Sequence, residues 1–228
     1  MIGRIFITLT GLAGLIIVLF VLVILANIAH HGLGTLSWEF ISSAPAHGMT
    51  AGGIFPAIFG TILLVLLMTI AVMPLGIMTA VYLSEYAPKR SALVSLIRLA
   101  IQNLAGVPSI VFGLFGLGFF IQFAGVGLDK FFFNSQIVFG QPAIIWAALT
   151  LALLTLPTVV VSTEEAIRII PDSHREVAYS LGATRLQVVR EIIIPQAIGG
   201  ILTGGILAVS RGAGEVAPIL FTGAAYFL

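Results

Sequence analysis

Two charges of opposite sign, Arg211 and Glu215, stand four residues apart in a long apolar run near the end of this 228-residue chain. On one continuous helix that spacing puts both on one face, where they can pair. A guanidinium set in such a run has a definite chemistry. Its planar, paired donors suit oxyanions such as phosphate. A carboxylate beside it would steady the cation and limit how tightly it holds an anion in transit. Charges buried in a bilayer face a bundle interior or a water-filled cavity. A structural ion pair locking two helices, or an interfacial arginine reaching outward, would use the same residue types. Counting from Pro195 at about 1.5 Å per residue, Arg211 lies about 24 Å along its helix, past mid-depth.

Other chemistry has little footing. The chain contains no cysteine, which excludes disulfides, cysteine-held metal and thiol catalysis. No Ser/His/Asp grouping falls at one depth, and no glycine-lysine loop could cradle nucleotide phosphates. The chain is therefore expected to be no enzyme and to bind no ATP, magnesium or other cofactor itself. His30, His31, His47 and Glu39 read as solvated loop residues without metal-ligand spacing. A net charge of +1, with no basic cluster away from the spans, gives no reason to expect nucleic acid.

The elements that must position these residues are membrane spans. The chain is 59% hydrophobic and 8% charged, against about 25% charged in soluble domains. This predicts an all-α, polytopic membrane protein. A span needs about 20 apolar residues. Five stretches qualify, at 5–28, 54–83, 99–123, 143–161 and 196–219. Pro74 predicts a kink in the second. Lys and Arg accumulate on one side. Arg4, Lys89, Arg90, Arg98, Arg168, Arg175, Arg185 and Arg190 share that side, and Lys130 stands on the other. The N-terminus and residues 162–195 are thus expected in the cytoplasm. The third stretch opens on Asn103, Gly106, Pro108 and Ser109. Close packing accounts for the glycines better than for Asn103 and Ser109, so those two are candidates for a pathway lining.

Residues 162–195 form the one long polar segment. It carries four of the ten basic and five of the nine acidic residues. Ser162-x-x-Glu165, Ser173-x-x-Glu176 and Thr184-x-x-Gln187 each match a capping box. Pro171 cannot continue a helix begun at Ser162. Gly182 sits where a helix begun at Ser173 would need a left-handed residue. The pattern predicts helix, break, a short helix of about two turns, a glycine stop and a third helix running into the membrane.

Here the residues carry a resemblance. Glu176-Val177-Ala178-x-x-x-Gly182, then nine residues, then Ile192-x-Ile194-Pro195, resembles the EAA motif of ABC-importer permeases. Val177 and Ile194 stand where that motif usually has Ala and Leu. The blocks LSWEF, GGIFPAIFGT, LSEYAP, NLAGVPSIVFGLFGLG and RGAGEVAPILFTG extend the likeness over about 34–223. Together they resemble the PstA-type permease subunits of phosphate ABC importers. The resemblance implies a type I (MetI-like) transmembrane domain filling 1–228, with 162–195 as its coupling loop. Arg175, Glu176, Ala178, Gly182 and Pro195 would then couple to an ATPase subunit, and Arg211, Glu215, Asn103 and Ser109 would line the substrate pathway. It also implies a related permease partner (PstC-like), ATPase subunits (PstB-like) using ATP and magnesium, an outer phosphate-binding protein (PstS-like) and a bacterial inner-membrane location. Such permeases generally have a sixth span, expected beyond this chain's end. Another oxyanion (phosphonate, sulfate or molybdate) is the nearest alternative cargo, and a non-transporting membrane scaffold or sensor component is the alternative from another class.

Overall fold

The computed structural model describes residues 2–48, 50–88, 91–133 and 136–223. The chain parts into two units, Met1–Phe59 and Gly60–Leu228. In the first unit, α1 (Ile2–Gly32) is apolar over its whole circumference, and its large side chains are exposed. A helix of that kind needs a bilayer or other apolar cover. A short helix, α2 (Trp38–Ser42), follows, capped by the Ser37 hydroxyl, which accepts from the Phe40 amide at 3.1 Å. A two-residue antiparallel ladder of β1 (Pro45–Ala46) and β2 (Ala51–Gly52) closes the loop.

The second unit holds the crossings. α3 (Phe55–Tyr86) begins at the end of the first unit and carries Pro74 within it. α4 (Ala92–Leu104) is a separate amphipathic helix. It is followed by α5 (Ser109–Phe132), α6 (Ile144–Arg168), the short α7 (Asp172–Ser180), α8 (Arg185–Ala213) and α9 (Ala217–Thr222). Among the described residues, five helices are long and apolar enough to cross a membrane: α1, α3, α5, α6 and α8. The fold is the all-α transmembrane architecture that the sequence predicts.

α6 is the central post. Thr150, Leu151, Leu154, Thr155, Val159, Val160, Thr163 and Ile167 are fully buried along it. α8 lies against it through small residues: Gly200 on Ala166, Gly204 on Ser162 and Gly212 near Thr155. Without Cβ atoms at those positions two helix backbones approach closely. A side chain at 200 or 204 would meet Ala166 or Ser162, and one at 212 the end of the Met68 side chain.

Several boundaries differ from expectation. α6 does not end near residue 161. It continues to Arg168, and Ser162 donates back to the Val159 carbonyl at 3.2 Å instead of capping a new helix. α7 starts at Asp172 with Pro171 before it, so Ser173 lies inside the first turn and forms no cap. The third stretch is not one helix. Its break spans Ala105–Pro108, because Pro108 has no amide to bond Leu104 and its ring would meet that carbonyl. α5 then runs to Phe132, nine residues beyond the predicted end at 123. The fifth stretch stops at Ala213 instead of 219, for the same reason: Pro218 has no amide to bond Gly214, four residues before it.

Sequence reasoning also passed over Asp129. It lies 3% exposed in the last turn of α5 and accepts from the amides of Val138 (3.0 Å), Phe139 (2.8 Å) and Gly140 (2.7 Å). Trp146 donates its indole N–H to the Phe139 carbonyl at 2.8 Å. One carboxylate thus stands in for a strand partner and fixes the loop between α5 and α6. The available signal was an acid at the end of an apolar span, followed within a dozen residues by a glycine-containing turn.

Candidate coupling and transit sites

The polar segment folds around α7. Its C-terminus is a Schellman turn. The Gly182 amide donates to Tyr179 O at 3.0 Å, and the Ala183 amide to Ala178 O at 3.1 Å. Gly182 has φ +85°, the left-handed region that the motif requires. Ala178 is buried beneath the helix among Ile167, Ile170, Val188, Val189 and Ile193. That position has room for a methyl group, which explains the small residue. The Thr184–Gln187 capping box then starts α8, as predicted. A wide turn over Val188–Ile193 follows, immediately before Pro195, whose nitrogen offers no hydrogen to a regular ladder. Glu176 and Pro195 are exposed.

The opposite face of α7 is apolar and open. Val177 is 61% exposed, and Leu181, one turn on, is 83% exposed. Ile169 and Leu186 on the flanking segments are exposed too. Large apolar side chains exposed on a polar segment mark a candidate interaction surface.

Three arginines bind this segment to the C-terminal end of α3. Arg175 donates from Nη2 and Nε to Glu85 Oε1, at 2.7 Å and 3.1 Å. Its Nη1 donates to Ile170 O at 2.9 Å and to Asp172 at 3.2 Å. Both partners of the central pair are largely buried, with side chains 14% and 8% exposed. The hydrogen bond it donates to Glu85 raises the Arg175 pKa above its already high ordinary value. Its charge therefore persists at any cellular pH. Arg185 donates to the Glu85 carbonyl and lies over the Tyr86 ring, 5.0 Å from its centroid. Arg98 bridges Leu83 O (2.7 Å) and Glu164 (3.2 Å), joining α4 and α6 to the same turn. Sequence reasoning singled out Arg175 and missed Glu85. The signal was a lone acid closing an apolar span.

The second candidate group does not form as expected. Arg211 and Glu215 are both half-buried, but α8 ends at Ala213 between them. Among the described residues neither side chain makes a hydrogen bond or ion pair, so the predicted pairing is absent. Asn103 is exposed near the end of α4, and Ser109 is half-buried at the start of α5. They flank the break instead of opening one helix.

Residues 72–227 match the family model described as the binding-protein-dependent transport system inner membrane component. The chain belongs to this family. Its relatives include the probable ABC transporter permease YqgI of Bacillus subtilis, 34% identical over 93% of this chain and 67% of that protein. The phosphate transport permease PstA 1 of Mycobacterium tuberculosis is 39% identical over 75% of this chain and 51% of its own length. The Yersinia pestis PstA is 38% identical, with coverages of 80% and 57%. The chain thus spans from about half to two thirds of the length of these relatives. A chain in a solved inward-facing structure of the MetNI methionine ABC transporter superposes with TM-score 0.56, covering 76% of this chain and 74% of that one at 18% identity. That likeness establishes the fold.

In this inner-membrane component a side chain at position 182 would meet open space. The penalty for Gly182→Val is therefore one of backbone conformation, at least about 1–2 kcal/mol for a left-handed non-glycine residue. The Ala183 amide should exchange with deuterium about tenfold faster or more in that variant, and Gly182→Ala should show a smaller effect. Unchanged exchange would count against the turn as described.

Proposed function

We propose that this chain is a permease subunit of an ATP-driven phosphate importer. The observation that carries the reading is its 38–39% identity to PstA phosphate transport permeases over three quarters or more of its length. The structure adds a capped two-turn helix whose free face presents Val177 and Leu181.

In this reading α7 seats in a cleft of a PstB-like ATPase subunit, which binds the ATP and magnesium. Arg175 and Glu176 flank the seat, Ala178 and Gly182 shape its underside and end, and Pro195 lies where α8 leaves it. ATP-driven closure of the ATPase pair moves α7. The arginine contacts to Glu85 and Leu83 pass that motion to α3, α4 and α6. A PstC-like permease completes the pathway, and a PstS-like protein delivers phosphate from outside a bacterial inner membrane. The basic residues gathered on one side support a cytoplasmic N-terminus. Arg211 offers the anion a transient bidentate partner, and Asn103 and Ser109 offer neutral donors. Glu215 supplies a negative charge that keeps binding weak enough for release.

The test is uptake of radiolabelled phosphate by the reconstituted complex, with sulfate as competitor. ATP-dependent uptake that excess sulfate leaves intact is the expected result. Preferential loss of signal to sulfate would move the cargo to another oxyanion. Gly182→Val should uncouple hydrolysis from uptake in the same assay, and normal coupling would argue against α7 as the transmitter.

A further inference from the structure

The third and fifth crossings are both interrupted, and α6 shows that the interruptions share one level. Arg98 bonds Glu164 toward the inner end of α6, and Gly116 packs on Thr150 toward the outer end. Interpolating between these contacts sets 105–108 opposite about Leu156–Val159. α8 registers on the same post through Gly200 on Ala166, Gly204 on Ser162 and Gly212 near Thr155. Arg211 then lies level with the outer edge of 105–108, and 214–216 lie three to five residues, about 5–8 Å, farther out. The apolar part of α6 ends near Val161, so both breaks fall within the hydrocarbon zone.

Lipid cannot satisfy irregular backbone, which survives at membrane depth only against protein or water. Ala105, Gly106 and Pro108 are exposed, as are Gly214 and Val216. The opening amides of a helix, here Ser109 and Ile110 of α5, find no acceptor within it. Asn103, Arg211 and Glu215 lie close to the same level, and their side chains have no partner among the described residues. The amides of Ala105, Gly106, Val107, Gly214 and Glu215 bond carbonyls three residues back, but unpaired charges, an unpaired side-chain amide and the free opening amides of α5 near one depth call for water.

We infer that the two breaks border a water-filled passage inside the bilayer, so that backbone of 105–108 and 214–216, together with Asn103, Arg211 and Glu215, faces a hydrated anion. This rests on the reading of the chain as an anion permease. It adds a place for the passage, and it assigns lining to backbone at two glycines, Gly106 and Gly214, that carry no chemistry of their own.

The absence of native cysteine makes the test direct. A Cβ at Gly106 meets nothing nearer than 3.5 Å, and one at Gly214 nothing nearer than 3.8 Å, so Gly106→Cys and Gly214→Cys fit. Ile70→Cys is the comparison. Ile70 is 61% exposed on unbroken α3, half a turn beyond Met68, which touches Gly212 and so sets the level. The full complex in lipid nanodiscs is treated with a charged, membrane-impermeant thiol reagent. The thiolate is the reactive form and apolar surroundings suppress it, so labelling at 106 and 214 should run at least about tenfold faster than at 70. Denatured samples of all three should label alike. Rates at 106 and 214 no faster than at 70 would overturn the passage, whether lipid or a protein neighbour seals the breaks. Inorganic phosphate should slow the labelling. Fast labelling that phosphate leaves unchanged supports the passage and counts against phosphate as cargo.

Discussion

Glu85→Ala should leave the assembled complex hydrolysing ATP while phosphate uptake falls to background. The reason is geometric. Glu85 lies in the last turn of α3, and its carboxylate is the acceptor that ties α7 to that end through Arg175. Without it, Arg175 keeps Ile170 O and Asp172, both in or beside its own helix. α7 would stay folded and could still dock, but its motion would reach α3 only through the Arg185 contact, the Arg98 bridge to Leu83 and the apolar packing around Val81. Removing one partner of a buried ion pair costs about 3–5 kcal/mol, and the remaining acceptors put this case near the lower figure. Glu85→Gln keeps an acceptor and loses the charge. Its loss should be smaller, because an amide oxygen there still accepts from the charged guanidinium, a bond worth about 1.5–3 kcal/mol, and only the ion pairing is lost. The exchange Glu85→Arg with Arg175→Glu should not restore coupling. A carboxylate at 175 would face the Ile170 and Ile167 carbonyls that now accept from the guanidinium. The measurement is phosphate moved per ATP hydrolysed in proteoliposomes. A wild-type ratio in Glu85→Ala, or rescue by the exchange, would remove Glu85 from the transmission path.

The sequence makes the crossings, the short helix of the polar segment and its glycine stop legible, because each is local. Apolar length sets a span, and Gly182 reports a left-handed turn that neighbouring residues alone define. The arginine knot was not legible. Glu85 and Arg175 are ninety positions apart, and no local pattern announces that a lone acid and one of four arginines will meet. The two breaks were half-legible. Pro74, Pro157 and Pro195 all sit inside continuous helices, so proline alone does not stop one. At Pro108 and Pro218 a glycine lies two or four residues before the proline, at Gly106 and Gly214. Proline removes the hydrogen bond, and glycine weakens the helix where that bond is missing. The assumption of an unbroken helix is what placed Arg211 and Glu215 on one face. Capping boxes misled in the same direction. Ser162 and Ser173 have the right spacing, but α6 is held in register past residue 161 by buried Thr163 and Ile167. Tertiary burial outweighed a local stop signal worth about 1 kcal/mol.

Arg211→Gln should reduce phosphate uptake by about 10- to 100-fold without disturbing assembly, the difference expected when a charged hydrogen-bonding group worth about 1.5–3 kcal/mol is lost from a transit site. A cation at this depth costs about 2.5–3.5 kcal/mol to insert, and here no carboxylate in the described chain offsets it. A purely structural arginine would be expected to have such a partner. Arg211→Lys retains the charge but loses the planar fork, so it should recover part of the rate. Glu215 separates the two explanations. If it worked with Arg211 as one ion pair, the double variant Arg211→Gln/Glu215→Gln would be no worse than Arg211→Gln alone. With α8 ending between them, each acts on the anion separately, and their effects on uptake should multiply. Full uptake by Arg211→Gln would remove it from the pathway, and non-multiplying losses would restore the ion pair that the helix end at Ala213 breaks.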